Sequence, residues 1–131
     1  MNLNFHQMNF TRILYYGEIT LPFSATDLFI ASTTRHPISY YAERMKFFQY
    51  MAAGKPILAE EAPGTKSVFN DDAHYVKLDD IDAMADAILK LYYDEDLRRR
   101  LGYKNRKRLE TLFEWSKLIP TYRNFILSVL N

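Results

Sequence analysis

The chain has 131 residues, 48% of them hydrophobic and 25% charged, with 17 basic side chains against 16 acidic and a net charge of +1. That length supports one domain with a buried core, and the near-neutral balance predicts no nucleic-acid partner. The lack of cysteine excludes disulfides and thiolate metal sites. No apolar run approaches the roughly 20 residues of a spanning helix, and the polar start Met1-Asn2-Leu3-Asn4 is no secretory signal, so a cytoplasmic location is the default expectation.

Residues 1–10 show no clear period. Ile13-Leu14-Tyr15-Tyr16 before Gly17 reads as a first strand ending in a turn. Residues 18–25 are interrupted by Pro22 and are too short for a full helix. Asp27-Leu28-Phe29-Ile30-Ala31 reads as a second strand, apolar enough to be covered on both faces. Residues 32–39, polar and carrying Pro37, form the loop at its carboxyl end, where open parallel sheets bind ligands. A helix of about three turns follows, signalled by Met45, Phe48, Met51 and Ala52 on one face. Gly54 is placed to end it in a left-handed conformation, and Pro56 cannot continue it. Both are read as structural.

Ile57-Leu58-Ala59 is a third, buried strand. Ala62-Pro63-Gly64 turns the chain, with Thr65 as candidate N-cap of a short helix through Phe69. Residues 74–78 make a fourth strand. Asp79 or Asp80 caps a helix with the apolar set Ile81, Met84, Ala85, Ile88, Leu91 and Tyr92. Asp94-Glu95 open the next, which carries Leu97, Leu101, Leu109 and Leu112. Trp115 precedes a last amphipathic helix, where Pro120 is tolerable only in the first turn. Strands alternating with helices, and two helices at the C-terminus, predict an α/β fold with a parallel sheet of about four strands.

The segment KFFQYMAAGKPILA resembles the K-x-x-E-x-M-A-A-G-K-P-I/V segment of nucleotide-sugar glycosyltransferases with the GT-B fold, family 4 in particular. The likeness continues in the family's order through PGTKSVFNDDAHYVKL, DIDAMADAILKLYYDEDLRRRLG and FEW, over roughly residues 13 to 125. It implies a partial Rossmann-like sheet: the later part of a GT-B C-terminal domain, residues 1–131, with the N-terminal acceptor domain absent. It also implies a nucleoside diphosphate sugar as donor, sugar transfer to an acceptor hydroxyl, and no required cofactor or metal. His6, His36 and His74 have no metal-ligand spacing.

The implied donor-nucleotide residues are Tyr41, Ala42, Glu43, Arg44, Met45, Lys46 and Gln49. Backbone N–H groups at residues 41–45 would face an anion at the positive end of the helix, and Lys46 would add a point charge. Gln49 stands where the family has the glutamate that bonds the ribose, and Tyr41 where it has the glutamate that touches the sugar. Glu43, about 200° round the helix from that position, is no replacement. No residue is assigned as catalytic, since the family's general base and its diphosphate-holding basic pair lie in parts expected to be missing.

The rival expectation is an inactive, truncated domain persisting as a fold or interaction module. Four strands in place of the family's six leave an edge that predicts self-association, a second polypeptide, or closure by residues 13–16. The basic run from Arg98 to Arg108 reads as a solvated face, with contact to an anionic membrane surface as its functional alternative. Arg35 and His36 read as surface loop residues.

Overall fold

Three short apolar runs pair as parallel strands in the computed structural model, which describes residues 15–130. They are β1 (Phe29–Ala31), β2 (Ile57–Glu60) and β3 (His74–Val76), in the order β1-β2-β3. Phe29 stands opposite Ile57, and Leu58 opposite His74. β2 is buried at all four positions, as the middle strand of a sheet covered on both faces must be. β1 alternates instead: Phe29 and Ala31 are buried while Ile30 is 41% exposed, so the expected two-faced cover stops short of this edge. Of the expected first strand, Ile13 and Leu14 lie outside the described residues, and Tyr16–Glu18 is a 3-10 turn. The described residues therefore hold three strands of the expected four, and among them β1 pairs only with β2.

The helices are α1 (Thr20–Ser24), α2 (Pro37–Tyr41), α3 (Met45–Ala52), α4 (Pro63–Phe69), α5 (Ile81–Tyr93), α6 (Glu95–Arg108) and α7 (Trp115–Leu130). α2 occupies part of the expected loop, because Pro37 at a first helical turn forgoes only an N–H that has no partner there. The single three-turn helix is really two pieces, since Ala42 and Arg44 are extended and restart the chain at Met45. Gly54, at φ 66, ends α3 as expected. α4 begins before Thr65, which is its third residue rather than its N-cap. The Thr65 hydroxyl accepts from the Ala62 N–H (3.1 Å) and donates to the Glu60 carbonyl (2.7 Å). Asp80 caps α5 through the Ala83 N–H (2.9 Å), and Asp94 caps α6 through the Leu97 N–H (2.8 Å).

The strand period of two sends Ile57 and Ala59 to one face and Leu58 to the other. The first face packs with Phe29, Phe47, Met51, Val68 and Phe69; the second packs with Val76, Ala87, Leu91 and Leu101. Each large side chain buried here contributes about 1.5–3 kcal/mol. The buried residues of α3 are thus Phe47 and Met51; of the predicted stripe, Phe48 is only partly buried, and Met45 and Ala52 are exposed. In α5, Ile81, Ala85 and Tyr92 are exposed likewise, because the apolar arc is wider than the surface available to cover it.

α6 ties the layers together. Its basic run is not simply a solvated face: Arg98 donates to the Leu91 and Tyr92 carbonyls (2.6 Å each), Arg106 to the Ala52 carbonyl, and Arg108 to the Val68 carbonyl (2.8 Å). These acceptors close α5, α3 and α4, so three guanidinium groups sit at the negative ends of three helices. A π-helical turn, Leu109–Phe113, leads into α7, which buries no side chain and holds Pro120 inside the helix rather than in its first turn.

Candidate functional site

The carboxyl end of β1 feeds a loop, then α2, then the extended link that starts α3. Arg44 is the N-cap residue of α3, with no side-chain cap, and the first turn carries no acid. The Phe47 N–H closes back on the Arg44 carbonyl at 2.9 Å; those of Met45 and Lys46 have no intrahelical partner. The positive end of the helix therefore meets two basic residues in place of the carboxylates that would suit it. Burial first, and the Arg44 charge second, hold the Lys46 ammonium below its ordinary pKa.

Gln49 lies one turn further on. With Ala52 and Ala53 it forms one wall of a groove of about 370 Å³, whose other wall is Ile19, Thr20, Phe23 and Ser24. Apolar walls with a few hydroxyl and amide groups are the composition of a small-molecule site, and the volume is at the small end of such sites, about 300–1,000 Å³. The next residue, Tyr50, turns to the core and stacks on Phe29 (4.3 Å between centroids, 7° between planes).

Arg44, Met45, Lys46 and Gln49 lie along the first turns of α3, and of these Gln49 lines the groove, while Tyr41, Ala42 and Glu43 belong to the piece before it. Tyr41 is exposed, its ring at 5.2 Å edge-on to Tyr40. The Ala42 carbonyl lies against Gly64, where a Cβ would collide with it. Glu43 is exposed in the extended link, so the rotation about a helix axis used to discount it does not apply there. Pro56 is buried, and its carbonyl accepts the Phe29 N–H (3.1 Å).

Sequence reasoning missed the α1 wall, because four residues around Pro22 have no period to read. Arg35 pairs with Asp79 (2.7 Å) across the loops after β1 and β3. Further concavities among the described residues include a basic one on α6, lined by Lys104, Lys107 and Arg108, and an apolar one along α7 around Trp115 and Tyr122. No helix of the described residues is long and apolar enough to cross a membrane.

A family model described as glycosyl transferase-like matches residues 4–124. No match was found among curated proteins. Among solved structures, sucrose-phosphate synthase from Thermosynechococcus elongatus is similar, with a TM-score of 0.64 and 24% identity, over 82% of this chain and 27% of that one. The chain thus spans about a quarter of that enzyme's length, and at this identity the likeness carries the fold. The resemblance to glycosyltransferases of the GT-B fold, and the α/β Rossmann-like class, are borne out.

Proposed function

The chain belongs to the glycosyl transferase-like family, and from that membership we propose that it binds a nucleoside diphosphate sugar whose sugar is transferred to an acceptor hydroxyl. The observation that carries this reading is the start of α3: an uncapped, acid-free N-terminus with Arg44 and Lys46 beside it. Cations at the positive end of a helix are unfavourable by themselves, and a bound diphosphate relieves both charges at once. The groove holding Gln49 begins one turn away and takes the nucleoside. Its side-chain amide accepts one ribose hydroxyl and donates to the other oxygen.

During transfer the bond from the sugar's anomeric carbon to the diphosphate oxygen breaks, the acceptor oxygen takes its place on that carbon, and the acceptor's hydroxyl proton passes to the diphosphate or to solvent. The positive end of α3 stabilises the charge that collects on the departing diphosphate. Titration calorimetry with UDP, GDP and ADP tests the reading. Binding is expected at roughly millimolar affinity, about 4 kcal/mol, and Lys46→Ala should weaken it. No heat from any of the three at high millimolar concentration overturns the proposal.

A further inference from the structure

We infer that Glu60 is a positioning residue for the donor site: its buried carboxylate locks the loops after β1 and β3 into one arrangement and so sets the path into α3. Glu60 closes the central strand and is 9% exposed. One carboxylate oxygen accepts the Thr33 N–H at 2.8 Å and the other accepts the Asp79 N–H at 3.3 Å. A single side chain therefore bridges two loops that the chain reaches 27 residues before it and 19 after it.

Each loop carries a sign of the constraint. Asp79 is held at φ 66, a left-handed conformation uncommon for a residue with a side chain. Its carboxylate also pairs with Arg35 at 2.7 Å, which ties the same two loops from outside. The Thr33 hydroxyl donates to the Ser39 carbonyl at 2.7 Å, carrying the constraint into α2. At the far end of α2, the Ala42 carbonyl rests against Gly64 of α4. Glu60, Thr33, α2 and the extended link thus form a continuous path to the first turn of α3. A carboxylate can accept with both oxygens, whereas a glutamine amide accepts with one and turns N–H groups toward the other donor. Glu60→Gln is therefore close to isosteric and leaves one acceptor oxygen for two N–H donors, so neither loop keeps its full hold.

The role rests on the donor reading above, and the test separates the two. In amide exchange on the full chain, Thr33 and Asp79 are expected to be protected. In Glu60→Gln, the amides of residues 33, 42–46 and 79 should exchange roughly tenfold to a hundredfold faster, with β2 and α5 unchanged. Calorimetry should show affinity for whichever of UDP, GDP or ADP binds the wild type falling about tenfold. Unprotected Thr33 and Asp79 amides in the wild type overturn the inference. So does faster exchange spread evenly over the chain, and so does loosened exchange with unaltered diphosphate affinity. Absence of diphosphate binding to the wild type overturns the donor reading, and the exchange pattern then decides the lock by itself.

Discussion

Gln49 concentrates the functional question in one side chain. It faces the groove between α1 and α3, and on the donor reading proposed above a carboxylate at that position should make a charge-assisted bond to a ribose hydroxyl. Gln49→Glu is expected to tighten nucleotide binding by about 1 kcal/mol, measured by calorimetry at neutral pH; equal or weaker binding would mean the ribose lies elsewhere. His74 gives a second residue-level test. Burial, and then the Lys90 charge, hold its imidazole below the usual 6.5. A base with a lowered folded-state pKa contributes stability above its ordinary pKa and loses it as pH falls. The melting temperature should drop between about pH 7 and pH 5, and His74→Gln should flatten that part of the profile. An identical slope in the variant would assign the acid loss to other groups.

At the scale of elements, the crossing of α6 over the end of α3 depends on one missing side chain. A Cβ at Gly102 would run into the Gly54 carbonyl oxygen. In an open helix, alanine would gain about 1 kcal/mol over glycine; here the collision reverses the sign, and Gly102→Ala should cost about 1–3 kcal/mol. A urea midpoint that rises would show that the two helices separate without penalty. The arginine clasp of α6 makes a companion case. Arg98 reaches two carbonyls at the end of α5, so Arg98→Ala should destabilise by about 1–2 kcal/mol through lost charge-assisted bonds at a helix C-terminus. Exposed Arg99 pairs with Glu95 at the surface, and Arg99→Ala should cost about 0.5 kcal/mol or less.

Across the whole molecule, the two cores close around the sheet without help from the last helix. α7 buries no side chain although Trp115, Ile119, Tyr122, Phe125 and Ile126 are all large and apolar. Removing residues 115–131 should therefore leave the unfolding free energy from urea titration within about 0.5 kcal/mol of the full chain. A marked loss would mean that α7 packs on the core in solution.

The periodicity of the sequence by itself determined the strand–helix alternation, the stop at Gly54, the acidic helix starts at Asp79 or Asp80 and at Asp94-Glu95, and the middle strand at Ile57; the structure chose Asp80 as the cap. Each of these depends on neighbours within a few residues, so local propensity and pattern suffice to place them. The motif around Gly54 and Lys55 also carries the family resemblance by itself. Tertiary structure decided what pattern could not. It split the central helix at Ala42, turned Met45 outward while burying Phe47, set α1 against Gln49 to make a groove, and sent arginines of a polar-looking helix to the ends of three others. It also placed Glu60 between Thr33 and Asp79. Contacts between residues 19 to 54 positions apart leave no local period, because they depend on how the elements pack rather than on any one of them.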